Sequence, residues 1–131
     1  MSASKQKGTA FERLMADFFA LELHDDDIDR RALQGLNDRG DISGVRVGPY
    51  RLVIECKNVR TLALSQWVKE AEAEASNDAA LAGVVCHKRR GYAKPADQYV
   101  TEPAYCRTYT DDSRAQVAPS SYVHSLLHIC T

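Results

Sequence analysis

The chain has 131 residues, with 17 Lys and Arg against 18 Asp and Glu and a formal net charge of −1. That length fits a single domain with a core of its own, and 44% apolar with 27% charged residues is globular composition, which excludes disorder. The near-neutral balance excludes a polybasic mode of nucleic-acid binding, so any such binding must come from local patches.

Residues 1–8 are small and polar. They lack the apolar segment of a signal peptide and are expected to form a flexible arm. Thr9 opens a helical pattern, with Phe11, Leu14, Met15, Phe18 and Leu21 on one stripe as far as about Leu23. Four Asp residues then crowd His24–Asp29, and Arg30-Arg31 follow. Residues 34–44 are turn-rich and read as loop. Val45 and Val47 begin a hairpin with its turn at Gly48-Pro49, and Leu52-Val53-Ile54 reads as a strand buried on both faces. Ser65 is placed to cap a helix over 66–76, with Trp67, Val68, Ala71 and Ala75 inward and Glu70, Glu72 and Glu74 on a solvated face. Leu81–Cys86 is another apolar run, and His87-Lys88-Arg89-Arg90-Gly91 a basic turn. Short strands are expected at 98–101 and 105–109 and a helix at 122–129. The order of helices and strands implies an α/β domain, a central mixed sheet flanked by helices. Residues 9–100 form its core, and 101–131 are an extension.

No stretch approaches the roughly 20 apolar residues of a membrane span. The cysteines Cys56, Cys86, Cys106 and Cys130 form no CxxC motif, so a zinc ribbon or thioredoxin-type site is not expected. Free cysteines in apolar runs point to a reducing, cytoplasmic compartment.

The residues that carry chemistry are Asp41 and Glu55-Cys56-Lys57, with Glu12 upstream. Alternate residues of a strand share a face, so Glu55 and Lys57 project together while Cys56 turns into the core. A hairpin partner can bring Asp41 beside them. Carboxylate oxygens suit a hard divalent cation, which polarises a phosphate and acidifies a bound water. A neighbouring lysine can orient that water or stabilise developing charge. Glu55-Cys56-Lys57 is the sole Asp/Glu-x-Lys triplet in the chain, and it directly follows the buried run 52–54.

The elements Lys7-Gly8-Thr9-Ala10-Phe11-Glu12-Arg13, Arg30-Arg31, Asp38-Arg39-Gly40-Asp41-Ile42, Val53-Ile54-Glu55-Cys56-Lys57 and Val84 through Gly91 together resemble the PD-(D/E)xK nuclease superfamily. Within it the nearest likeness is to Holliday junction resolvases of the archaeal type and their phage-encoded relatives. The resemblance implies a restriction-endonuclease-like αβββαβ core and a Mg²⁺-dependent endonuclease for branched DNA, with Mn²⁺ as substitute. Asp41, Glu55 and the Cys56 carbonyl would hold the metal, Glu12 would support it directly or through water, and Lys57 would position the attacking water. Gly40 stands where the superfamily has proline, a position that is not a ligand. Resolution takes two symmetric nicks, so a C2 homodimer is implied, with apolar surface around Trp67 or the C-terminal segment as its interface.

Other readings stand beside these. Thr9 to Glu12 spells a capping box. Asp41 suits a turn, and Glu55 with Lys57 a solvated ion pair. Gln66 is either an accessory site residue or a surface residue of the first helical turn. Lys5, Lys7, Arg30, Arg31, Arg39, Lys88, Arg89 and Arg90 are candidates for phosphate contact; for Arg30, Arg31 and Arg39 the rival is charge balance against Asp25–Asp29. His124 and His128, four apart near Cys130, have metal-ligand spacing but no third partner. The activity itself has two rivals: cleavage of flaps, nicked or linear duplexes, and a non-catalytic DNA-binding module on the same fold.

Overall fold

The computed structural model describes residues 2–31, 39–47, 49–102 and a short strand at 117–119. The expected strand at 105–109 and helix at 122–129 lie outside these, as do His124, His128, Cys106 and Cys130.

Helix α1 spans Ala3–Glu22 and buries Phe11, Met15, Ala16, Phe18 and Phe19. Ser2 is its N-cap, accepting from the Lys5 amide at 3.2 Å. The expected arm is therefore the start of the helix. Thr9 and Glu12 lie well inside it, so the capping-box reading fails. Leu21, expected inward, is exposed, and Phe19 takes the buried place.

Strands β1 (Asp29–Arg30), β2 (Ile42–Ser43), β3 (Arg46–Val47) and β4 (Tyr50–Lys57) follow. Helix α2 (Leu64–Asn77) and β5 (Ala82–His87) come next, then a single 3-10 turn at Pro95–Asp97, β6 (Tyr99–Thr101) and β7 (Val117–Pro119). The sheet is mixed, in the order β1-β2-β4-β5-β6-β7, with β3 pairing β4 off that path. β4 and β5 are parallel, joined through α2, and the remaining pairs are antiparallel. The α/β class and the strands expected at 52–54, 81–86 and 98–101 are borne out, with β4 extending to the Glu55-Cys56-Lys57 end.

The two faces of the sheet carry different cores. α1 packs with Ile28, Ile42, Val45, Ile54, Val84, Cys86 and Val100, and α2 places Trp67 and Ala71 on Val85. Trp67 is 6% exposed and packs tilted against His87, ring centroids 5.7 Å apart. It belongs to the core and supplies no dimer surface. Ala63, not Ser65, occupies the α2 N-cap, without a side-chain cap bond. His87 ends β5 fully inside, not in a basic turn, and burial lowers its pKa to about 4, so the ring is neutral. Its Nε2 lies 2.9 Å from Thr101 Oγ1. The described cysteines, Cys56 and Cys86, are free thiols. No helix among the described residues is long and apolar enough to cross a membrane.

α2 can approach β5 because Gly83 has no side chain. A Cβ there would stand 2.1 Å from the Ala71 carbonyl oxygen. Gly83→Ala is expected to cost about 1–3 kcal/mol or more by overpacking. Gly8→Ala, in open space on α1, is expected to gain about 0.5–1 kcal/mol. Urea denaturation of the two variants measures both.

Candidate functional site

Asp41 is positioned by an irregularity in the ladder. Its amide donates to the Ile54 carbonyl at 2.8 Å, although Ile42 is the residue in register with Ile54. Two successive residues thus oppose one on β4, which is a bulge, and bulges re-aim side chains. Gly40 precedes it at φ +89°, where a Cβ would stand 2.7 Å from Val53 Cγ1. Proline, held near φ −65°, cannot occupy that place.

Asp41 is 7% exposed, and its carboxylate accepts from the Cys56 amide at 2.8 Å. It also lines a cavity of about 320 Å³ with Lys5, Thr9, Glu12, Arg30 and Arg31. There Glu12 Oε2 accepts from Arg30 Nε and Nη2 at 3.0 and 2.8 Å. Glu12 is thus engaged by β1, not by its own helix start.

Glu55 and Lys57 share the other face of β4, against α2. Lys57 Nζ lies 3.3 Å from Glu55 Oε1 and 3.1 Å from Glu70 Oε2. Gln66 Nε2 donates to Glu70 Oε1 at 3.0 Å. Glu55 also meets Glu74, which is buried rather than solvated. A polar seam therefore runs Gln66, Glu70, Lys57, Glu55, Glu74 along the β4–α2 contact. Burial, then the hydrogen bond and charge of Glu74, raise the Glu55 pKa to about 8 against the weaker pull of Lys57. Glu55 Oε2 is buried without a hydrogen-bond partner, and with Glu74 alongside, Glu55 keeps its proton more readily than it takes a second negative charge. For Lys57, burial works against the charged form, but the bond to Glu70 and the charges of Glu55 and Glu70 outweigh it, and its pKa is raised. Lys57 is a cation, suited to orienting water or stabilising negative charge.

The four sequence-predicted residues thus fall into two groups. Glu12 with Asp41 lines the α1-side cavity, and Glu55 with Lys57 lies in the α2 seam. They meet at the Glu55–Cys56 peptide, whose amide holds Asp41. Among the described residues no three His, Cys, Asp or Glu side chains are grouped closely enough to hold a metal. The set expected for the metal is of another kind, two carboxylates with a backbone carbonyl. The unpartnered Glu55 Oε2 is the observation that fits a cation there, since a divalent ion binds the deprotonated carboxylate and releases its proton.

The basic candidates are more engaged than expected. Lys88 Nζ donates to the carbonyls of Arg89 and Tyr92, and the Arg89 guanidinium lies 3.7 Å from the Tyr92 ring centroid. Arg90, Lys5 and Lys7 are exposed. Arg31 and Arg39 point to Asp78 at 3.6 and 3.8 Å, not to the acidic run at 25–29. Sequence reasoning missed Glu70, Glu74 and Asp78. Helical spacing held the signal, because 67, 71, 74 and 78 form one inward stripe. No family model, curated protein or solved structure matches the chain.

A pKa raised above the ordinary carboxylate value means that the folded state keeps a proton the unfolded chain gives up. Stability from this group is complete below about pH 4.5 and is lost as pH rises toward about 8. In Glu74→Gln, an amide can donate to Glu55 and the like charge is gone. Its thermal midpoint without divalent ions is expected to gain on the parent progressively from pH 5 to 8.5. Equal pH profiles for the two proteins would disprove the coupling of Glu55 to Glu74.

Proposed function

We propose that the chain is a metal-dependent endonuclease acting on DNA, resembling a Holliday junction resolvase of the PD-(D/E)xK type. The observation that carries the reading is that Asp41 from one side, and Glu55 with a charged Lys57 from the other, converge on the single Glu55–Cys56 peptide. The element order α1, β1 to β4, α2, β5 matches an αβββαβ core once the two-residue β3, which pairs with β4 off the main sheet path, is set aside.

In this reading Asp41, Glu55 and the Cys56 carbonyl hold a Mg²⁺ ion, with Mn²⁺ as substitute. The ion supplies Lewis acidity toward a phosphate oxygen and lowers the pKa of water. The chain's residues do the rest. The Cys56 amide fixes the Asp41 carboxylate beside the Glu55–Cys56 peptide. Lys57, held between Glu55 and Glu70, places a positive charge where a phosphoryl group gains negative charge. Gln66 orients Glu70 and so acts on Lys57 indirectly. Glu12, clamped by Arg30, sits at the cavity wall and sets the position of that arginine.

A four-way junction with Mg²⁺ is the decisive substrate. Asp41→Asn and Lys57→Ala are expected to cut it at least about 100-fold more slowly than the parent. Cleavage by either variant at the parental rate would remove the site. Flap and linear duplex substrates in the same assay separate the resolvase from the other nucleases of this fold.

A further inference from the structure

Asp78, just after α2, has a side chain only 5% exposed, and three arginines from distant segments surround it. Arg31 and Arg39 lie 3.6 and 3.8 Å from its Oδ1, and Arg51 Nε lies 3.8 Å from Oδ2. These separations are beyond hydrogen-bonding range, so the guanidiniums are gathered by charge and keep most of their donors unspent. Arg31 gives one to the Arg39 carbonyl, and Arg51 gives one to the Asp78 carbonyl.

A fourth arginine joins them. Arg46 of β3 is registered directly opposite Arg51 of β4. Like charges placed opposite each other across strands are unfavourable. Among the described residues Arg46 has no ion-pair partner, and its side chain is exposed. One carboxylate thus faces three arginines with a fourth beside Arg51, a local surplus of three positive charges in a chain of net charge −1. Arg39 and Arg51 are about half exposed. The β3–β4 hairpin holds Arg46 and Arg51 on regular structure, and Asp78 at the end of α2 draws Arg39 toward them.

The geometry points to a phosphate-backbone contact site at Arg39, Arg46 and Arg51, organised by Asp78, for the DNA duplex flanking the cleavage position. Guanidinium forks match phosphate oxygens and accept two at once. Arg51 and Glu55 are on one strand, four residues or about 13 Å apart at a strand's rise per residue, so one nucleic-acid arm along β4 reaches both. The assignment to DNA rests on the nuclease reading; the surplus charge does not.

Anisotropy of a labelled duplex, measured with the full chain in EDTA so that no cleavage occurs, tests the contact. Arg46→Gln, Arg51→Gln and their double variant are compared with the parent across a salt series. The double variant is expected to bind about tenfold more weakly and to lower the slope of log affinity against log salt by about 1–2, one per phosphate contact. Arg13→Gln removes an exposed arginine on α1 that pairs with Asp17 and Asp29, and is expected to change neither. Arg46 has no ion pair to lose, so its variant also tests the site free of any folding defect. Parental affinity and slope in the double variant, or an equal loss in Arg13→Gln, overturns the proposal. A parent that binds through the patch yet never cuts DNA leaves the contact standing and removes the nuclease reading. A parent that cuts, while the patch variants bind as it does, removes the contact and leaves the nuclease reading standing.

Discussion

Strand β4 is paired along both edges and covered on both faces, and most of the molecule's chemistry follows from that confinement. Its interior part, Val53 and Ile54, is apolar and almost fully buried, as a doubly covered strand must be. The strand does not stop where the apolar run stops. It continues in register with β5 through Glu55, Cys56 and Lys57, carrying two ionisable groups into the contact with α2. Water is largely removed from them there. Each must find a counter-charge, a proton or an ion, because an isolated buried charge is far too costly.

The seam answers that demand unevenly, and the unevenness is informative. Lys57 lies between two carboxylates and is well served. Glu55 shares Lys57 with Glu70 and faces Glu74 as well, so three acids compete for one base. A core built for stability alone would place an apolar residue at 55 or 74. The excess of acid over base in a buried place is the kind of local inconsistency found at functional sites. On the other side of the same peptide, the bulge at Asp41 and the positive φ of Gly40 are a second departure from regular structure, again spent on directing one carboxylate.

What is legible in the sequence follows how far each interaction reaches along the chain. The apolar runs at 52–54 and 81–86 mark β4 and β5 because a buried strand writes its environment into consecutive residues. The stripe of α1 is legible for the same reason, apart from Leu21 and Phe19, adjacent to the inward edge. Glu74 is misplaced when charge is given more weight than spacing, although it stands three residues after Ala71. The start of α1 escapes notice because a polar first turn has no hydrophobic signature, only the Ser2 cap. The bulge at Asp41 and the clustering of Arg31, Arg39 and Arg51 leave no local trace, since each depends on pairing between segments far apart in sequence.

The net charge illustrates the same limit. A value near zero argues only against a uniformly basic surface. The fold converts it into a separation: acid concentrated between β4 and α2, and base concentrated between the β3–β4 hairpin and the end of α2. Both concentrations hang on the same two elements. The parallel crossover β4–α2–β5 therefore holds them at a constant distance. Salt screens the exposed arginines over a Debye length of about 8 Å at physiological strength, but it reaches the buried carboxylates much less. A polyanion approaching this surface meets a salt-sensitive attraction at one end of β4 and a largely salt-insensitive acidic seam at the other. A divalent cation in that seam would remove the repulsion without altering the fold, taking over the role that a proton on Glu55 plays below about pH 8.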